Sequence, residues 1–148
     1  MDRQIPDGMS LVYRLDVDLS RDPERIRQTQ ELTLNDNRPR LGLKGTHGLF
    51  GSTKWWENID NHLLQTRTVC GEIKEVRWAG QDARPGDAIN SFVYLDKNGV
   101  TRSEGICVNS KQDVQKFKPG VRFIIVYVID ELKTGESHDI PLYVYLDR

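Results

Sequence analysis

Four glycines, Gly42, Gly45, Gly48 and Gly51, recur at every third position and lead into Ser52 and Thr53, whose hydroxyls can cap a helix. Backbone amides freed by glycine and aimed from a helix start can hold a phosphate or a carboxylate. The stretch between Asp36 and Glu57 contains no acidic residue and carries Arg38, Arg40, Lys44, His47 and Lys54. A lysine in a first helical turn opposes the macrodipole, a conflict that a bound anion relieves. Those five side chains, with Gly45 and Gly48, are candidate anion contacts. The pattern is not a P-loop, because Gly51 is followed by Ser52 where that motif has lysine, and no parallel strand-helix-strand unit surrounds it. Glycines at the turns of a curved sheet explain the spacing equally well.

A second basic group, Lys111, Lys116, Lys118 and Arg122, has only Asp113 among it and could track a phosphate backbone. Binding of that kind also needs aromatic faces. Phe92 and Tyr94 share one strand face, and Tyr143 and Tyr145 share another, although tyrosines on a solvated sheet face are common without a ligand. The segments 38–54 and 111–122 together make nucleic-acid or anion binding the alternative reading. Charge weighs against it: 21 basic residues face 22 acidic ones, and neither end is polarised.

Three tryptophans are candidates for a protein interface, where indoles supply large contact area. Trp55 and Trp56 lie about 100° apart around one helix, so one is expected in the core and the other partly exposed. Trp78 borders the turn-rich stretch Ala79–Asp87 and is expected either to lid the core or to stack on a ligand.

The inventory for catalysis is poor. His47, His62 and His138 stand far apart, none at metal-ligand spacing with Cys, Asp or Glu, and no nucleophile motif surrounds Cys70, Cys107 or any serine. The sequence therefore predicts no enzyme, no metal and no cofactor. Each cysteine sits in an apolar, strand-like run, where a buried thiol is the ordinary outcome; one bridge between them in an exported protein is the alternative. Residues 1–10 hold no apolar signal-peptide core and no stretch reaches membrane-spanning length, which points to a cytoplasmic protein with no membrane partner.

The elements that must position these residues read as follows. Leu11, Tyr13, Leu15, Val17 and Leu19 alternate with Arg14, Asp16 and Asp18, predicting a half-buried strand. Pro23 to about Leu32 suits a short helix capped by Ser20 or Asp22. An amphipathic helix is expected over about 53–64. Strands follow over Thr66–Trp78, with a bulge near Lys74 and Glu75, and over Ile89–Leu95. Asp96-Lys97-Asn98-Gly99 is a hairpin signal, and Val100–Val108 returns as its partner. A short helical segment near 111–117 precedes Val121–Asp130, a strand apolar on both faces and therefore central. A turn over Thr134–Asp139 and a last alternating strand complete the chain.

These elements predict one domain over 1–148: a strand, short helix and glycine-rich lead-in over 1–50, then a helix and barrel-like core over 51–148. The expected fold class is mainly β, an antiparallel curved sheet or a partly closed OB-like barrel, similar to that architecture in Gly71–Val76 and Phe117–Arg122. The functional expectation is a small non-enzymatic binding module engaging another protein. An inhibitor or immunity-type protein of bacterial conflict systems fits that description, as does a regulatory accessory subunit.

Overall fold

The two leucines at positions 15 and 19 are four apart, which serves a helix as well as a strand. In the computed structural model, which describes residues 4–78 and 89–148, the alternating run is divided accordingly. Strand β1 spans Met9–Arg14 and helix α1 spans Leu15–Ser20, with Leu15 and Leu19 buried. Within that helix the Asp16 carboxylate accepts from the Val17 amide at 3.0 Å, and the Ser20 hydroxyl donates to the Val17 carbonyl at 2.7 Å. A register shift between Leu11 and Tyr13 buries both Val12 and Tyr13. The single strand expected over 11–19 is thus corrected to a strand and a helix.

Helix α2, Pro23–Leu34, starts on Asp22, whose carboxylate accepts from the Arg25 amide, and places Pro23 in the first turn, where its missing N–H costs nothing. None of its residues is fully buried. Helix α3, Thr53–Asp60, is capped by Ser52 and buries Trp55 and Ile59 on one side. It stops short of the expected Leu64 because His62 turns left-handed at φ 60° and the amides of Leu63 and Leu64 both donate to the Asn58 carbonyl.

The expected barrel does not form. Strands β2 (Gln65–Glu72) and β3 (Glu75–Arg77) are separate. Between them the buried Ile73 exchanges main-chain bonds with the 120–121 turn, and Lys74 donates to the Val93 carbonyl at 2.8 Å. The change of face read as a bulge is the point where the chain leaves one sheet for the other. Strands β4 (Ser91–Leu95), β5 (Thr101–Gly105), β6 (Arg122–Glu131) and β7 (Ser137–Asp147) follow, with a 3₁₀ helix over Lys111–Lys116. Two open antiparallel sheets result, one ordered β1-β7-β6-β2 and the other β3-β4-β5. With the four helical segments among the described residues, the fold class is α+β, not all-β and not an OB barrel.

The chain divides into two compact units, one made of Leu15–Arg67 with Val126–Leu142, the other of Gln4–Arg14, Thr68–Ile125 and Tyr143–Arg148. The first is cored by Phe50, Trp55, Ile59, Val126 and Val128; the second by Phe92, Phe117, Phe123, Tyr143 and Tyr145. Tyr143 and Tyr145, expected on a solvated face, are buried, as are Phe92 and Tyr94. Cys70 is exposed and Cys107 half-buried, and no disulfide joins them. The stretch Ala79–Asp87 lies outside the described residues.

Gly48 has a φ of 101°, and a Cβ there would lie 3.0 Å from the Trp55 amide nitrogen; Gly120, at φ 92°, has nothing within 4 Å. Gly48→Ala is therefore expected to destabilise the protein by about 3 kcal/mol and Gly120→Ala by only about 1 kcal/mol, the backbone cost alone. Urea denaturation of the two variants measures the difference.

Candidate protein-binding surface

The glycine-rich segment owes its spacing to packing. Gly42 meets the Leu32 side chain, Gly45 that of Thr33, Gly48 the first turn of α3 and Gly51 that of Ile26, and all four have positive φ. The segment runs between α2 and α3 and bridges through Leu43 to Leu132, with the Lys44 amide donating to the Glu131 carbonyl at 2.9 Å and the Lys133 amide to the Gly42 carbonyl at 3.0 Å. The amide of Trp55 at the start of α3 is taken by the Ser52 hydroxyl. Of the basic residues expected to hold an anion there, Arg38, Arg40 and Lys54 are exposed, Lys44 pairs with Glu131 at 3.5 Å, and His47 is half-buried with its carbonyl accepting from Asn58.

Lys111, Lys116, Lys118 and Arg122 lie in the other unit. Lys116 and Lys118 share a surface groove of about 460 Å3 with Ser10, Val121, Asp147 and Arg148. Acidic groups stand among them: Lys116 pairs with Asp113 at 2.8 Å, and Arg122 reaches both carboxylate oxygens of Asp147. The Arg122 guanidinium and amide hold the Asp147 carboxyl below the usual carboxylate range.

The tryptophans separate in role. Trp55 is fully buried, so its part is in the core; Trp56 packs edge-on against it at 4.9 Å and is half-buried, and Trp78 is exposed at the end of β3. The indole N–H of Trp55 donates to the buried Asp130 carboxylate at 3.0 Å.

Sequence reading missed an apolar groove of the first unit. It holds about 390 Å3 and is lined by Arg25, Thr29 and Leu32 of α2, by Gly42, Leu43 and Phe50 of the glycine segment, and by Leu132 and residues 138–141 of the β6–β7 region. Its rim is charged and held: Arg25 pairs with Asp18 at 3.1 Å and lies over the Phe50 ring, while Asp139 takes Arg67, which lies over the Tyr127 ring. Leu41, next to Gly42, is exposed at 49%, whereas Leu34 falls on the face of α2 opposite Arg25, Thr29 and Leu32. An apolar floor, an exposed leucine and a polar rim are the anatomy of a protein interface.

The sequence matches the family "Immunity protein RhsI2" over residues 9–142, which takes in most of each compact unit. The chain belongs to this family. No curated protein matches it. Membership in the RhsI2 immunity family makes the chain a non-enzymatic, protein-binding module whose partner is a protein. Among the described residues, no group of three His, Cys, Asp or Glu could hold a metal ion, and no helix is long and apolar enough to cross a membrane.

One cation braces the chain next to this groove. The Lys133 ammonium donates to the carbonyls of Leu32, Asn35 and Arg38 at 2.6, 3.1 and 3.1 Å, closing the C-terminal end of α2 and the turn after it. Lys133→Met keeps the stem and removes the charge. A loss of about 2 kcal/mol in urea denaturation is expected, with faster amide exchange confined to residues 32–41.

Proposed function

We propose that this chain neutralises a cognate toxin protein by binding it stoichiometrically, with the groove between α2, the glycine segment and the β6–β7 region as the contact surface. The observation that carries the reading is the match to an immunity-protein family over residues 9–142. The groove supports it on physical grounds. Leu41, next to the lining Gly42, is exposed, the floor of Leu32, Leu43 and Phe50 is apolar, and covering them gains free energy by removing apolar surface from water. The charges on the rim already have partners, so docking leaves no lone charge to desolvate at Arg25 or Asp139. Two cysteines that form no disulfide support a cytoplasmic site of action.

The test is calorimetric titration of the purified chain into the toxin domain proposed as its cognate partner. Leu41→Asp and His138→Glu, the second at an exposed residue of the groove lining, are expected to weaken binding at least about tenfold each, because a carboxylate must then be buried against apolar surface, while thermal stability stays within about 0.5 kcal/mol of the parent. Lys97→Asp, on the exposed β4–β5 turn of the other unit, serves as the control that leaves affinity unchanged. Unchanged affinity in both groove variants removes the groove from the interface; absence of any binding by the parent chain removes the toxin reading itself.

A further inference from the structure

Among the described residues, the β3-β4-β5 sheet ends on β5, Thr101–Gly105. Its pairing with β4 runs without a register shift from Leu95↔Thr101 to Ser91↔Gly105. The Asp96 amide donates to the Val100 carbonyl at 2.9 Å and the Ile106 amide to the Asn90 carbonyl at 2.8 Å. Even-numbered residues of this strand therefore turn their main-chain groups toward β4. The alternation of an antiparallel ladder turns those of Thr101, Ser103 and Gly105 to the opposite edge. All three residues are exposed, and the strand contains no proline. Such an edge is a template for a further strand. The outer edge of β1 is handled differently, since Asn109 covers it with an amide bond to the Val12 carbonyl at 3.0 Å and side-chain bonds to both main-chain groups of Arg14.

The side chains of β5 specify what strand fits. If β5 pairs antiparallel with β5 of a second copy about Ser103, outward main-chain groups meet outward groups at Thr101, Ser103 and Gly105. In that register Arg102 lies directly across from the second copy's Glu104, and Glu104 from its Arg102, so opposite charges face each other twice per dimer. Sliding the pairing by two residues sets Arg102 against itself or Glu104 against itself, which disfavours both neighbouring registers. Arg102, 59% exposed, is steadied through its Nε by Asp96 at 3.1 Å, and Glu104 accepts from the Tyr94 hydroxyl at 3.1 Å, so both side chains stand on the same face. Small residues at 101, 103 and 105 leave the other face clear for close approach.

We infer that β5 is a self-association edge through which two copies of this chain join their three-stranded sheets into one six-stranded sheet. Five residues a side make a small interface, so the dimer is concentration-dependent. It forms without the toxin and stands apart from the reading above.

Sedimentation velocity on the full chain alone, from about 10 µM to about 1 mM, reads the association. The parent chain is expected to pass from monomer to dimer over that range. Ser103→Pro removes an outward N–H and costs no bond to β4, and stays monomeric. R102E and E104R each place like charges across the seam and weaken self-association about tenfold, with circular dichroism confirming that both fold. An equimolar mixture of these two variants associates more tightly than either alone, because the all-acidic edge of one matches the all-basic edge of the other. A parent chain that stays monomeric throughout overturns the inference. So does self-association of R102E and E104R at the parent's strength, or a mixture no tighter than its components; if Ser103→Pro fails to fold, the charge variants decide.

Discussion

A carboxylate at 4% exposure is costly to bury unless its oxygens are satisfied, and in Asp130 both are: Oδ2 by the Trp55 indole at 3.0 Å and Oδ1 by the Glu131 amide at 2.8 Å. This pair ties helix α3 to the end of strand β6, and much of the first unit depends on that tie. With α3 fixed, the backbone of its first turn becomes the wall against which Gly48 must fit without a side chain. The glycine segment then runs back along α2 to Leu43, where it bridges to Leu132 just beyond Asp130. Remove the indole N–H and the carboxylate loses a partner in a place water does not reach; the loss then falls on the docking of a whole helix.

Local signals in the sequence led to the right local structures wherever main-chain chemistry decided the outcome. Asp22 and Ser52 cap α2 and α3, and the Asp96 carboxylate accepts from the amides of Asn98 and Val100 to close the β4–β5 turn. The doubly apolar run after Val121 became β6, an inner strand of its sheet. Errors arose where two periods agree with the same residues. Leu15 and Leu19 satisfy a strand and a helix alike, so hydrophobic pattern alone does not choose between the two. The break at Ile73 and Lys74 was visible as a change of face, but whether a strand bends or leaves its sheet depends on partners as distant as Val93 and Val121. That one ambiguity separates a curved barrel from two open sheets.

Charge was the least legible property. The run from Arg38 to Lys54 looks unopposed along the chain, yet Lys44 meets Glu131 across 87 positions. Arg122 meets Asp147 across 25, and Arg67 meets Asp139 across 72. A basic segment becomes a basic surface only if folding leaves its neutralising partners elsewhere, and neither segment here meets that condition in full. The groove proposed as the contact surface escaped notice for a related reason: its lining comes from three stretches of chain, each carrying residues that read as ordinary core or loop.

A surface that recognises a protein requires no particular residue types, only a firm frame and replaceable side chains. In this groove the frame is largely main chain. The Lys133 ammonium holds three carbonyls at the end of α2, the Leu43–Leu132 bridge and the Lys44 and Lys133 amides fasten the glycine segment to β6 and the turn after it, and glycine spacing brings that segment close beneath the helix. The bonds that fix its shape are made by groups other than the exposed Leu41 and His138 side chains. If the groove is the contact surface proposed above, substitutions at those two positions change what is recognised without changing what is folded. A protein that must match one partner and refuse its near relatives gains from that separation, since specificity is a difference of affinities that can be retuned at the rim while the frame stays as it is.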